Sequence, residues 1–273
     1  MRTALLIPFA LLASCSVSSD PQAEASASAS VEPSAAPAPP AAPSVAAQTP
    51  VAARNVTVEN DDYEFTYAYP AEAGAIPALR GLLDEDLEKQ RKELIADAKE
   101  GKADATKNGY PYNAYSHSVE WQVVTDTPAW LSMSTLVGYF SGGAHPNYGY
   151  ETILWDKIAG QRRQPTDLFT SKAALAAAIR DPFCKELEKE RAKKRGGEKW
   201  SGDISEFTKC IDPIEQTVIL GSSNGKAFNR IGVLISPYAA GPYAEGSYEV
   251  TLPVTAKVLA AVRPQYKPAF VAQ

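Results

Sequence analysis

The chain has 273 residues, with 27 Lys and Arg against 32 Asp and Glu, and a formal net charge of −5 at pH 7. Its one dense basic cluster, residues 185–199, is interleaved with glutamates, so the charge pattern argues against a nucleic-acid partner. Beyond residue 53 the chain is long enough for one large domain or two small, closely packed ones. No stretch there is apolar enough to predict a transmembrane span.

Residues 1–14 have the layout of a secretory signal peptide, because one cation, Arg2, precedes an apolar run too short to span a bilayer. The run ends in Leu12-Ala13-Ser14-Cys15, which resembles the lipobox of bacterial lipoproteins. That resemblance implies cleavage before Cys15 and lipidation of its thiol, so we expect a protein lipid-anchored to the cell envelope and facing the periplasm. Ser16, where lipoproteins of the inner membrane often carry Asp, favours the outer membrane. An ordinary signal peptide with an incidental cysteine is the alternative.

Residues 15–53 are dominated by Ala, Ser, Pro, Val, Glu and Gln and contain no aromatic residue. Such a segment cannot bury enough apolar area to offset its chain entropy. We therefore predict a lipidated, disordered tether that holds the globular region away from the membrane.

The first part of the globular region alternates between strand and helix patterns. Residues 63–69 alternate aromatic with polar or small side chains, which predicts a half-buried strand, and leucines at helical spacing predict a helix over 76–106. Residues 116–125 and 130–140 alternate again and predict an antiparallel hairpin, and 148–155 predicts a third strand.

The second part repeats this order. Ser171 is placed to cap a helix, in which Pro182 predicts a break or kink. Asn224-Gly225 predicts a hairpin turn. The other predicted elements are a short helix at 205–210, strands at 217–220, 228–235 and 248–254, and a closing helix at 254–262. Strand, helix and strands thus occur twice, which predicts an α+β fold of antiparallel sheets covered by helices, with two similar halves packed together.

Two cysteines remain once Cys15 is assigned to lipid. Cys184 and Cys210 form an even pair in an exported protein, which predicts a disulfide between them. Loops of this length gain roughly 3 kcal/mol from such a crosslink. Two buried free thiols are the alternative.

The sequence contains matches to catalytic motifs, but the residues around them do not fit the structures that those motifs need. Residues 221–225 match G-x-S-x-G around Ser223, but a strand pattern follows them instead of a helix, and both histidines precede the serine. His117 and His145 belong to no zinc-binding motif, whereas paired carboxylates stay possible because their pairing is spatial. We predict no catalytic residue, no metal site and no cofactor.

Three stretches together are more specific. Tyr139-Phe140-Ser141-Gly142-Gly143-Ala144-His145-Pro146-Asn147-Tyr148 requires an unusual turn, and Asp167-Leu168-Phe169 and the Tyr/Ala/Gly-rich stretch 236–246 follow it. This set resembles the paired extracytoplasmic domains of the RsiV-like and PdaC-like family. The resemblance implies a PdaC-like half at 54–160 and an RsiV-like half at 161–273.

In that family the domains form the sensor region of a lysozyme-binding anti-sigma factor and a non-catalytic region beside a peptidoglycan deacetylase domain. The sequence has no deacetylase metal motif and no cytoplasmic segment, so we expect neither parent activity. The resemblance implies a non-enzymatic module that binds peptidoglycan or a wall-directed protein such as a lysozyme. An envelope hydrolase and a structural assembly lipoprotein are the alternatives. The candidate binding surface consists of Gly142, Gly143, His145, Tyr148, Tyr238 and Tyr243.

Overall fold

A computed structural model describes residues 53–273. The predicted signal peptide, Cys15 and nearly all of the predicted tether lie outside this range. Within it, none of the helices has both the length and the apolar character needed to cross a bilayer. The strands are β1 (Arg54–Glu59), β2 (Tyr63–Tyr69), β3 (Tyr115–Glu120), β4 (Gln122–Asp126), β5 (Trp130–Phe140), β6 (Asn147–Asp156), β7 (Gln161–Arg163), β8 (Thr217–Gly221), β9 (Arg230–Ile235) and β10 (Tyr248–Pro253). The α-helices are α1 (Ala71–Gly74), α2 (Pro77–Asn108), α3 (Lys172–Lys194) and α4 (Ala256–Ala261).

The first seven strands form one sheet in the order β1-β2-β3-β5-β6-β7, and β4 also pairs with β5. The predicted antiparallel character is wrong for one pair, since β2 and β3 run parallel. Helix α2 is 32 residues long and lies between these two strands, so it returns the chain to the end of the sheet where β2 begins. The other pairs in this sheet are antiparallel.

Helix α2 covers one face of this sheet through a stripe of leucines. Leu79, Leu83 and Leu87 are fully buried and Leu94 nearly so, in one cluster with aromatic residues of β2. Each buried leucine contributes roughly 2 kcal/mol by removal of apolar surface from water. Pro77 opens the helix and Gly109 ends it with a left-handed φ of 76°.

The predicted strand 116–125 is divided into two strands, β3 and β4, by the single residue Trp121. The Trp121 side chain is buried and its indole N–H donates to the Tyr67 hydroxyl at 3.2 Å. Pairing with β2 ends at Glu120, and the residues after Trp121, as β4, continue the antiparallel pairing with β5 in the same register. Strand β1, which no pattern predicted, is a short edge strand with mostly exposed side chains.

The second sheet is antiparallel with the order β10-β9-β8, and α3 packs against β10. Ser171 caps α3 as predicted, by accepting a hydrogen bond from the Ala174 N–H at 3.0 Å. Of the predicted break or kink at Pro182, the break is wrong, since α3 is continuous from Lys172 to Lys194. Proline removes one backbone donor, but Ile179 and Phe183 on either side of it are buried in the same core, which holds the helix together.

The two sheets belong to one compact unit. Strand β8 contacts β4, β5 and β6, and the Thr217 hydroxyl donates to the Tyr150 carbonyl at 2.9 Å. The first sheet also continues past residue 160 through β7. The predicted α+β class, with sheets covered by helices, is confirmed.

The predicted disulfide between Cys184 and Cys210 is present and joins α3 to the segment before β8. About two turns of helix further on, the Arg191 side chain is 1% exposed. Its guanidinium donates to the carbonyls of Ala240 at 3.0 Å, Lys209 at 2.9 Å and Glu206 at 2.6 Å. The disulfide and the arginine therefore attach the same irregular segment to α3, and the arginine also holds Ala240 of the connection between β9 and β10.

Candidate binding surface

Two loops distant in sequence build the surface. The turn 141–146 joins β5 to β6, and the connection 236–247 joins β9 to β10. In the turn, Gly142 and Gly143 have φ of 90° and 99°, a region that side chains with a Cβ rarely adopt. Both positions therefore require glycine because of their positive φ angles, as the unusual turn predicted.

The structure brings the aromatic candidates together as one group, which we call the aromatic cluster: His145, Tyr148, Tyr238 and Tyr243. The His145 and Tyr243 rings stack with centroids 3.9 Å apart and an interplanar angle of 23°. Tyr238 lies 5.6 Å and Tyr148 lies 6.0 Å from Tyr243, centroid to centroid. Such spacings are typical of favourable aromatic pairs.

Hydrogen bonds determine which nitrogen of His145 carries the proton. The Pro146 carbonyl accepts from the Tyr243 hydroxyl at 2.6 Å and lies 2.8 Å from His145 Nδ1, which must therefore be the N–H donor. In the neutral ring Nε2 is then an acceptor, and it lies 3.3 Å from the Tyr238 hydroxyl. Both ring nitrogens of His145 thus have a hydrogen-bond partner, Pro146 for Nδ1 and Tyr238 for Nε2.

The end of α3 anchors the loop that carries Tyr243. Arg195 binds both carboxylate oxygens of Glu245, at 2.9 and 3.0 Å, and this pair is mostly buried. Burial alone would raise the pKa of Glu245, but hydrogen bonds from Arg195 and Tyr248 outweigh it and lower that pKa. Lys194 adds hydrogen bonds to the carbonyls of Glu245 and Ser247, each at 2.6 Å. Tyr243 is therefore held on a firmly attached loop.

Tyr238 has an unusual backbone conformation. Its φ of 69° makes it the one residue other than glycine with positive φ within the described part of the chain. This conformation costs roughly 1–2 kcal/mol for a residue with a Cβ. Its side chain is nevertheless 52% exposed, so the strain presents a tyrosine to solvent. Backbone strain of this kind clusters at functional sites.

The residues weighed for catalysis do not assemble. Ser223 Oγ accepts from the side-chain amides of Asn229 at 2.7 Å and Gln273 at 3.2 Å, and it lies in the loop between β8 and β9, with a strand after it. His117 lies elsewhere, with Nε2 2.5 Å from Gln90 Oε1 of α2. Between residues 53 and 273, no group of three or more His, Cys, Asp or Glu side chains is arranged to hold a metal ion.

Sequence reasoning missed two parts of this region. The Pro146 carbonyl and the Arg195–Glu245 pair have no motif, because their roles follow from the meeting of distant loops. Tyr139, which the sequence groups with the other tyrosines, is on the opposite face of the sheet, where it lines a cavity with residues of α2. The alternation of side chains along β5 and β6 was the available signal, since Tyr148 pairs with Gly138 and not with Tyr139.

Comparison with known proteins agrees with the expected relationship. Residues 56–148, about a third of the chain, match the family model described as deacetylase PdaC. This segment is similar to that family. It comprises the sheet through the start of β6, together with α2, and so includes the turn 141–146 and His145 of the aromatic cluster.

Two solved structures of the DUF3298 family are also similar to the chain. One is from Bacteroides fragilis, with 16% identity and a TM-score of 0.47 over 76% of this chain and 92% of that one. The other is from Pseudomonas aeruginosa, with 14% identity and a TM-score of 0.46 over 82% of this chain and 99% of that one. No curated protein gives a significant match to the sequence.

Proposed function

We propose that this protein binds the glycan of the bacterial cell wall through the aromatic cluster and catalyses no reaction there. The observation that carries the proposal is the stacked His145–Tyr243 pair with the half-exposed Tyr238 bonded to its edge. Tyrosines supply large, rigid contact areas that are apolar on the ring and polar at the hydroxyl, with little side-chain entropy to lose. Sugar rings offer the same combination of an apolar face and hydroxyl edges.

The arrangement favours binding for a second reason. Preorganised groups bind more tightly because less conformational freedom is lost on association. The turn glycines, the Pro146 carbonyl and the Arg195–Glu245 pair hold the cluster in one conformation. By contrast, a general base needs a free nitrogen or oxygen within reach of the substrate proton, and both nitrogens of His145 are occupied.

The proposal includes the location of the protein. Cleavage before Cys15, with lipid on its thiol, would anchor the chain to the envelope. The predicted tether, residues 15–53, would then let the globular region reach the cell wall. Labelling with a palmitate analogue tests this part, with Cys15→Ala as the unlabelled control.

Cosedimentation with purified peptidoglycan sacculi tests the binding. We expect Tyr238→Ala to weaken binding at least about tenfold, as loss of a central interface tyrosine does. Tyr110 is the matched control, because it is 50% exposed, against 52% for Tyr238, and its hydroxyl donates to Asp104 of α2 and not to a residue of the aromatic cluster. Tyr110→Ala should bind as the parent protein does.

Equal binding by the Tyr238→Ala and parent proteins would contradict the role of the aromatic cluster. Lysozyme in place of sacculi tests the protein partner that the family resemblance implies. If the protein retains lysozyme but not sacculi, its ligand is a protein and the glycan proposal is wrong.

A further inference from the structure

A cavity of about 250 Å³ lies between α2 and the ends of β3 and β5. It is separate from the aromatic cluster, because it opens on the face of the sheet that α2 covers. Its volume lies just below the usual range for drug-sized ligands, so it suits a group the size of one sugar or one amino-acid side chain. Its lining residues are Gln90, Glu93, Leu94, Asp97, Tyr115, Ser116, His117, Tyr139, Phe140 and Ser141.

The charged groups of the lining are all acidic. Glu93 and Asp97 are exposed and stand one turn apart on α2, and no lysine or arginine is among the residues that line the cavity. The nearby Lys89 comes within 3.9 Å of Glu93, but both side chains are more than half exposed. Such surface pairs are weak, so Lys89 does not neutralise the site.

His117 adds a neutral acceptor. Asp86 accepts hydrogen bonds from the Tyr67 hydroxyl at 2.9 Å and from the Gln90 amide nitrogen at 2.7 Å. This fixes the Gln90 side chain with its oxygen toward His117, so His117 Nε2 must carry the hydrogen of their 2.5 Å contact. Burial lowers the pKa of His117, which favours the neutral ring, and in that form Nδ1 is an acceptor.

Two tyrosines complete the lining. Tyr115 is pressed so closely onto α2 that a Cβ at Gly101 would overlap its hydroxyl. Tyr139 is 48% exposed and lines the same cavity. The faces of tyrosine rings carry partial negative charge and attract cations.

We propose that this cavity binds a small primary ammonium group, such as that of an amino sugar or a lysine side chain. Carboxylates, a neutral imidazole acceptor and tyrosine rings all favour a cation that donates hydrogen bonds. The ammonium ion has three donors and no acceptor, which complements this lining. The proposal does not depend on glycan binding by the aromatic cluster.

Calorimetric titration of the folded protein with two matched ligand pairs tests the site. Glucosamine is compared with glucose, and Nα-acetyl-lysine amide with Nα-acetyl-norleucine amide, at a pH where both amines are charged. We expect an ammonium ligand to bind at least tenfold more tightly than its uncharged counterpart. The pair that shows this difference identifies the source of the ammonium group.

The double variant Glu93→Gln/Asp97→Asn should weaken that binding at least tenfold. Its matched control is Glu85→Gln/Glu88→Gln, which removes the same charge from exposed positions of α2 outside the cavity. Equal affinity for charged and uncharged ligands, or equal loss in both double variants, would overturn the proposal. Sacculus binding by the Tyr238→Ala variant is a separate result, so the failure of one proposal leaves the other standing.

Discussion

Replacement of Arg191 by methionine tests how α3 holds two irregular segments, the one before β8 and the connection between β9 and β10. Methionine keeps an unbranched apolar stem in the core but has no donor, so the carbonyls of Ala240, Lys209 and Glu206 lose their partner. The ion pair with Glu188 contributes little, because the Glu188 side chain is 57% exposed.

The magnitude follows from the burial of these carbonyls. A buried polar group without a partner costs about 1–3 kcal/mol. The bond to Ala240 is fully buried, whereas those to Lys209 and Glu206 are only partly buried, so water replaces part of what they lose. We therefore expect Arg191→Met to lower the free energy of unfolding by about 2–4 kcal/mol.

Urea unfolding followed by circular dichroism, in oxidising buffer, measures this difference. Lys193→Met is the matched control, because Lys193 lies on the same helix with its side chain 78% exposed, and we expect it to change stability by no more than about 0.5 kcal/mol. A loss below about 1 kcal/mol for Arg191→Met, or equal losses in both variants, would refute the assignment of Arg191 as a buried donor to these carbonyls.

Three further predictions concern stability. Reduction of the Cys184–Cys210 disulfide should lower the free energy of unfolding by roughly 3 kcal/mol, as judged from urea curves with and without reductant; unchanged curves would contradict it. Because the pKa of His117 is lowered from its ordinary value of 6.5, the unfolded chain binds more protons between the folded pKa and 6.5. Stability should therefore fall as the pH drops through that window, and His117→Asn should reduce this loss, with an NMR titration of the ring as the direct check. Gly143→Ala should lower the free energy of unfolding by about 1–2 kcal/mol, because the φ of Gly143 is 99°. Gly81→Ala, within α2, should raise it by about 0.5–1 kcal/mol. A higher melting temperature for Gly143→Ala than for Gly81→Ala would contradict the argument from backbone conformation.

Helices and strands whose apolar side chains recur at regular helical or strand spacing could be predicted from the sequence. Strands β2 and β5, helix α2 and the cap at Ser171 match their predictions closely, because local spacing of apolar side chains and capping groups determines them. The disulfide followed from the cysteine count and the expected compartment. The edge strand β1 carried too few apolar side chains to be detected.

The sequence by itself therefore determined the α+β class, most element positions and the residues worth testing as a surface. Only the tertiary structure decided that β2 and β3 run parallel, that Trp121 ends β3, and that α3 continues through Pro182. It also decided that His145 contacts Tyr243 while Tyr139 faces α2. The reason is that strand pairing and loop contacts join residues far apart in the chain, so their energies depend on neighbours that no local pattern specifies.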